Sequence, residues 1–358
     1  MAKLIKTQVG REGRTQEELA VVEEGAPAPW AIDAELKVVG RATAPVDGPE
    51  RVTGQAVYTA DVQLPGMLYA RFLRSPYAHA RIKRIDISAA ERLPGVRAVL
   101  SQHNLHGDYA LQGMPLFVPE PGYVGDEVAL VAADTEAVCE DALRLIRVDY
   151  EPLAHISETE KLLLGHSPAD LIGLAAEEPR RYARGRAAEG LAQAEARIER
   201  TYHTQGILHN CLEPHGAVAA WDGGSLTVWE STQAICQVRD QLAEAFGLPE
   251  EQVRVLCHYM GGGFGSKQFS WKWALGAAVL ARLTERPVRL VYDRLADNTA
   301  AGHRIATTQQ LRLGARRDGT LTAIELVAAV DTGVHGHVPD VEGPVQAFYA
   351  CPNVRTEM

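Results

Sequence analysis

Residues 260–267 read MGGGFGSK: four glycines fill five consecutive positions around a single phenylalanine, Phe264. The stretch joins two segments of different period. Upstream, residues 252–260 (QVRVLCHYM) set Val253, Val255, Cys257 and Tyr259 at alternate positions, the pattern of a strand. Downstream, an apolar run over residues 271–283 predicts a helix. A loop between a strand and a helix gathers backbone N–H groups at the positive end of the helix dipole, which suits a negative ligand. Glycine is needed there where φ is positive or a ligand approaches the backbone closely. The nucleotide motifs fail on spacing. A phosphate-binding P-loop needs Gly-Lys-Ser/Thr after a four-residue gap, and here Lys267 follows Ser266. A dinucleotide fingerprint needs a glycine where Ser266 stands. A structural turn and a ligand loop both fit these residues. Phe264 is costly to leave exposed, so the ring is expected to pack, or its N–H to be presented at a fixed point.

Outward from the loop, the pattern is one of strands mixed with helices. Residues 232–246 carry Ile235, Val238, Leu242 and Phe246 at spacings of three and four, a helical face, with Gly247 as its terminator and Pro249 beyond. Residues 216–231 (GAVAAWDGGSLTVWES) read as a hairpin turning at Asp222-Gly223-Gly224. Nearer the N-terminus, residues 126–134 (DEVALVAAD), 136–146 and 147–153 read as strand, helix and strand, with Thr135 as the helix N-cap. A strand at residues 286–294 (RPVRLVYDR) and two later strands, residues 321–333 (LTAIELVAAVDTG) among them, are expected. The fold class is therefore α+β (mixed α/β). Four segments are expected: a charged N-terminal arm over residues 1–37, a first domain over 38–155, a solvated linker with a short helix over 156–196, and a second domain over 197–358.

The chain has 358 residues, enough for two or three domains. A net charge of −10 argues against a nucleic-acid partner, which asks for a basic face. The N-terminus lacks an apolar core of signal-peptide length, and the apolar run at residues 273–283 is too short to span a bilayer. A cytoplasmic protein with no membrane association is expected. Cys139, Cys211, Cys236, Cys257 and Cys351 are dispersed, with no Cys-x-x-Cys pair. They fit buried thiols in a reducing compartment, and supply neither an iron–sulfur nor a zinc motif.

With WESTQ at residues 229–233 preceding it, MGGGFGSK resembles the molybdopterin-binding subunit of the xanthine dehydrogenase and aldehyde oxidase family. Co-linear stretches agree: DGPERVTGQAVYTADVQLPGMLYARFLRSPYAHARI, GYVGDEVALVAADTEAVCEDALRLIRVDYEPL, LEPHGAVAAW and RRDGTLTAIELVAAVDTG. The first two resemble the family's α/β hammerhead domain, and the rest the first part of its molybdenum-cofactor domain. The resemblance implies hydroxylation of an aldehyde or N-heteroaromatic substrate with water as oxygen source. It implies a molybdenum–molybdopterin cofactor, with electrons leaving through 2Fe–2S clusters and FAD on partner iron–sulfur and flavin subunits. Gln233 matches a glutamine that hydrogen-bonds an oxygen ligand of the metal. Gly263, Phe264 and Gly265 match the loop beside the metal centre. Gln268 falls where some relatives place a substrate-contacting glutamate, which puts purine recognition in doubt. Glu213 and Pro214 match a turn read as structural. No direct protein ligand to the metal is expected.

Family chains of this type are about twice as long. The missing half would carry the catalytic base and most pterin contacts, so the base is expected outside this chain. Glu230 and Asp331 are not candidates for it. Three readings follow: one half of a split subunit working with a chain that carries the second half; an inactive fragment; or a cofactor-free docking module. His335 and His337 would share one face of a strand, but lack a third ligand.

Overall fold

A computed structural model describes residues 34–155, 179–334 and 339–358, together with the backbone of residues 2–11 and 14–23. The chain divides into two compact units. The smaller comprises Met1–Ala56 and Pro339–Gly343, the larger Val57–Val338 and Pro344–Met358. The smaller unit holds an antiparallel hairpin of β1 (Ala2–Arg11) and β2 (Arg14–Glu23), and a short helix α1 (Gly48–Thr53). The arm expected over residues 1–37 thus contains paired strands. Ladder hydrogen bonds come from the backbone, and a charged composition does not forbid them.

The larger unit is built on a seven-stranded sheet. Its order is β14 (Val253–Leu256), β13 (Ser225–Glu230), β12 (Gly216–Asp222), β15 (Val288–Val291), β3 (Leu68–Arg74), β8 (Glu127–Ala133) and β5 (Val96–Ser101). The sheet draws strands from both sides of the expected linker, joined by parallel pairing of Val288 with Leu68 through Leu290 with Ala70. The strand β8 is buried along its whole length, as its continuous apolar run requires between two neighbours. The helix α3 (Glu136–Leu145) follows a short α2 (Ser88–Glu91). It starts as predicted, with the Thr135 hydroxyl accepting from Val138 N at 3.2 Å. The strand after it, β9 (Arg147–Pro152), pairs with β4 (Ala80–Asp86), and β6 (Ala110–Leu111) pairs with β7 (Met114–Pro115).

A second sheet of five strands runs β10 (Arg181–Arg184), β18 (Val354–Glu357), β17 (Leu321–Val330), β16 (Thr307–Ala315), β11 (Ala196–Thr204). Within the span expected as a linker, β10 is a sheet strand. Arg184 anchors it by donating to the carbonyls of Gln346 and Cys351. The short helix expected there is α4 (Ala187–Ala192). Residues 156–178 of that span lie outside the described residues.

Two helices flank the glycine loop. The first, α5 (Ile235–Phe246), ends at Gly247 with φ +62°, as its sequence predicts. It begins three residues later than the periodicity suggests, because Thr232 and Gln233 bond to Lys267 O in the loop and Ala234 N bonds to the Thr232 hydroxyl. Val238 and Leu242 are buried, whereas Ile235 is exposed. The second, α6 (Lys272–Thr284), is buried from Lys272 through Ala281, a helix covered on every side. It lies close to the sheet because Gly276 has no side chain: a Cβ there would sit 3.0 Å from Leu130 and from Phe72. The described residues also include the helices α7 (Arg294–Ala300) and α8 (Gly343–Ala347).

The strand β14 is shorter than its alternating pattern. Pairing stops at Trp229 with Leu256, since β13 ends at Glu230 and β14 has no neighbour on its other side among the described residues. Among the cysteines, Cys139, Cys211 and Cys351 are buried, but Cys236 is exposed on α5. Among the described residues, no helix is long and apolar enough to cross a membrane.

Candidate functional site at the glycine loop

The parallel pair β13–β14 fixes where the site lies. Both strands end on the same side of the sheet. The chain leaves β13 into Ser231-Thr232-Gln233, and leaves β14 toward the glycines. The two connections then lock together. Gln233 N donates to Lys267 O at 2.7 Å, and the Thr232 hydroxyl donates to the same carbonyl at 2.9 Å.

Gln233 is the hub of the loop. Its Oε1 accepts from Gly265 N at 2.9 Å and Lys267 N at 3.4 Å. These two backbone donors decide the orientation of the amide: the oxygen faces the loop. Both Nε2 hydrogens are left without a partner among the described residues. Only glycine at 263 permits this, because a Cβ there would lie 2.5 Å from Gln233 Oε1. Gly261 is constrained likewise, with a would-be Cβ 2.5 Å from the Cβ of Glu213.

The loop is conformationally strained at its tip. Phe264 has φ +51° and Gly265 φ +98°, and the left-handed region costs a non-glycine residue about 1–2 kcal/mol. Side chains hold the turn in place: Arg304 Nη2 donates to Phe264 O at 2.8 Å, and the Ser266 hydroxyl donates to Gly263 O at 2.8 Å. The Phe264 ring lies over Gly262 and is 59% exposed, so it does not find a core. Its N–H has no hydrogen-bond partner among the described residues. Of the two expectations for Phe264, the structure carries the second, a backbone donor presented at the tip. Gln268 is exposed and joins none of these hydrogen bonds.

Beneath the tip lies a dense polar layer. Lys267 is fully buried. Its Nζ donates to Glu213 O at 2.8 Å and to Ser231 Oγ at 2.7 Å, and lies 3.6 Å from Glu213 Oε2. Burial pushes the Lys267 ammonium below the usual lysine range, and the Glu213 charge opposes that. Glu213 accepts from Thr59 N at 3.2 Å on one oxygen, and from Ser231 Oγ at 2.6 Å and Gly261 N at 2.7 Å on the other. With both oxygens occupied, Glu213 clamps three segments together, in keeping with a structural turn. Glu230 accepts from Trp273 Nε1 at 2.7 Å and Ser270 Oγ at 3.1 Å. Desolvation raises its carboxyl from 4.5 to about 8, against the opposing effect of those bonds. A third buried group joins Asp297, His215 and Ser266, with His215 Nε2 3.0 Å from Ser266 Oγ.

The sequence reading does not find His215, Ser266, Lys267, Asp297 or Arg304 as partners. They converge from separations of up to 82 residues, with no local spacing to mark them. His335 and His337 lie outside the described residues. Among the described residues, no group of three or more His, Cys, Asp or Glu could hold a metal ion.

Residues 174–358 match the molybdopterin cofactor-binding domain, and residues 53–154 match the aldehyde oxidase and xanthine dehydrogenase a/b hammerhead domain. The chain belongs to this molybdopterin-binding family. The hammerhead match and the cofactor-domain match occur in the family's order. One relative is the nicotinate dehydrogenase large molybdopterin subunit of Eubacterium barkeri. It is 32% identical over 334 residues, covering 90% of this chain and 78% of that protein. Another is the aldehyde oxidoreductase molybdenum-binding subunit of Escherichia coli (strain K12), 35% identical over 298 residues, covering 81% of this chain but only 40% of that protein. The crystal structure of quinoline 2-oxidoreductase from Pseudomonas putida 86 superposes with a TM-score of 0.78 at 30% identity, covering 89% of this chain and 44% of that one. This molybdopterin-binding chain therefore spans less than half the length of two of these three proteins.

The donor set fits such a cofactor. The glycine-lined backbone can be approached closely, and N–H groups unclaimed among the described residues are found on Phe264 in the loop and on Gln233 bonded to it. These are neutral donors suited to oxygen atoms of a bound group.

Proposed function

We propose that this chain builds one wall of a molybdenum–molybdopterin site in a hydroxylase of aldehydes or N-heteroaromatic compounds. The orientation of the Gln233 amide carries the reading. Its oxygen is consumed by Gly265 N and Lys267 N, so its Nε2 hydrogens are free to donate to an oxygen of the cofactor. Phe264 N would add a second donor, and Gly263 and Gly265 would admit the group against the backbone. When bound, the molybdenum–pterin group supplies the two-electron redox chemistry that inserts oxygen from water into a C–H bond. Gln233 and the loop orient that group and hold hydrogen bonds to it. Gln268, neutral and exposed, would stand at the substrate side, where a glutamate would otherwise favour a purine. Nicotinate and quinoline are named for two of the relatives, which supports an N-heteroaromatic substrate.

The catalytic base and the remaining pterin contacts would come from a second chain carrying the other half of the molybdenum domain. Coverage of the Eubacterium barkeri protein to 78% of its length supports this reading, because a relative of comparable extent exists as a subunit. Iron–sulfur and flavin subunits would take the electrons onward.

The decisive test is metal analysis of the complex purified through this chain, wild type against Gln233→Ala. Molybdenum is expected in the wild-type complex together with a chain carrying the second half. Turnover in the variant should fall at least about tenfold, the equivalent of one charge-assisted or buried hydrogen bond, with the melting temperature unchanged. A metal-free intact complex, or full activity in Gln233→Ala, would overturn the proposal.

A further inference from the structure

Three polar side chains lie end to end under the loop, and each is almost wholly buried: Asp297, His215 and Ser266. Asp297 Oδ1 is 2.5 Å from His215 Nδ1 and also accepts from His215 N at 3.0 Å. A carboxylate cannot donate, so Nδ1 carries the proton and the ring is fixed with Nε2 pointing away from Asp297. Arg294 holds the other Asp297 oxygen at 2.8 Å. His215 Nε2 meets Ser266 Oγ at 3.0 Å, and that oxygen lies 2.8 Å from Gly263 O. The Trp273 ring, 4.8 Å from the His215 ring between centroids, closes one side of the chain of groups.

We propose that His215 is a positioning residue for the glycine loop: through Ser266 it fixes the backbone of residues 263–265 against Gln233, and Asp297 fixes its ring. The left-handed backbone at Phe264 explains the need. A non-glycine residue stays there only where its surroundings over-determine it. Ser266 stands next to that strain, and its oxygen is clamped between the ring nitrogen and the Gly263 carbonyl. A buried polar chain in unbroken contact from Asp297 through His215 and Ser266 to the Gly263 carbonyl favours one arrangement of its neighbours. The Gly265 N–H on Gln233 is the downstream end of this specification. The inference rests on the cofactor reading only for what the loop faces. The placement of the loop is independent of it.

The test is amide hydrogen exchange on the full chain without added cofactor. In Ser266→Ala, the Gly265 and Lys267 amides that end on Gln233 should exchange about tenfold faster, the loss of one net hydrogen bond. Amides of β12 and α6 should keep their rates. Asp297→Ala frees the His215 ring without altering any atom in the loop, and should give a localised rise of at least threefold at the same two amides. It also covers the case in which Ser266→Ala fails to fold. Unchanged rates at Gly265 and Lys267, or an equal rise across β12 and α6, would overturn the proposal. Failure to bind molybdopterin with these amides still responding would sink the cofactor reading alone.

Discussion

Glu230 offers the sharpest energetic test. Its carboxyl is fully buried, takes hydrogen bonds from Trp273 and Ser270, and is raised by desolvation from 4.5 to about 8. Between those two values the folded state keeps a proton that the unfolded state has released. Stability therefore falls as pH rises through the window, and levels off above about pH 8. At about 1.4 kcal/mol per tenfold in the proton equilibrium, the full window is worth roughly 5 kcal/mol, of which about 3 kcal/mol is lost by pH 7. Glu230→Gln removes the titration and keeps the contacts: the amide oxygen accepts from Trp273, and the amide nitrogen donates to the Ser270 oxygen. Urea unfolding of both proteins from pH 5 to pH 9 reads the difference. The two should be within about 1 kcal/mol at pH 5, and the variant should be ahead by roughly 3–5 kcal/mol at pH 9, seen as a shifted midpoint at constant slope. Parallel stability curves for the two proteins would refute the assignment of Glu230 as a carboxyl kept neutral by burial.

Two further outcomes follow from the same layer. Gly263→Ala places a Cβ 2.5 Å from Gln233 Oε1, so the Gln233 side chain must leave the loop. Protection of the Gly265 and Lys267 amides should drop about tenfold, and molybdenum should be lost from the complex with little change in melting temperature. Glu213→Gln leaves the Lys267 ammonium buried without its counter-charge and turns an amide N–H toward Gly261 N; a loss of roughly 3 kcal/mol is expected from urea midpoints.

What could be read from the sequence is what local physics decides. Thr135 caps α3 because a threonine hydroxyl before an apolar-periodic run has a free N–H within reach two or three residues on. Gly247 ends α5 at φ +62° and Gly223 turns the hairpin at φ +56°, because glycine takes those backbone angles without strain. The failures share the opposite cause. Thr232 to Ala234 carry a helical period but lie outside the helix, since Thr232 and Gln233 bond to Lys267 O, a partner 34 or 35 residues away. Residues 257–260 alternate like a strand, but β13 has already ended and offers them no ladder. The exposed Phe264 ring goes against the preference of aromatic rings for burial, and such local conflicts concentrate where a chain serves a ligand rather than its own core. The Asp297–His215–Ser266 group is invisible because it joins α7, the residue before β12 and the loop, and no periodicity spans them.

The location of the candidate site follows from topology before any side chain is considered. In open sheets, ligands gather outside the carboxyl ends of parallel strands, where connections diverge and leave a crevice. Here β13 and β14 are the parallel neighbours at one end of the seven-stranded sheet, in register from Leu226 with Val253 to Trp229 with Leu256. Gln233 emerges four residues past the last pair on one strand, and Gly263 seven residues past it on the other. The two connections meet because β13 continues into α5, β14 into α6, and neither helix can begin until its lead-in has cleared the sheet. A glutamine on the first lead-in can reach a second lead-in only if that one is stripped of side chains. The glycines of MGGGFGSK meet that steric demand, and the same stripping lets an outside group approach the backbone. The requirement that closes the loop on Gln233 is therefore also the one that opens it to a cofactor. Substitutions at Gly261 and Gly263 should accordingly damage folding of the loop and binding together, and Gln233→Ala, which removes the acceptor of the Gly265 and Lys267 amides, should do the same.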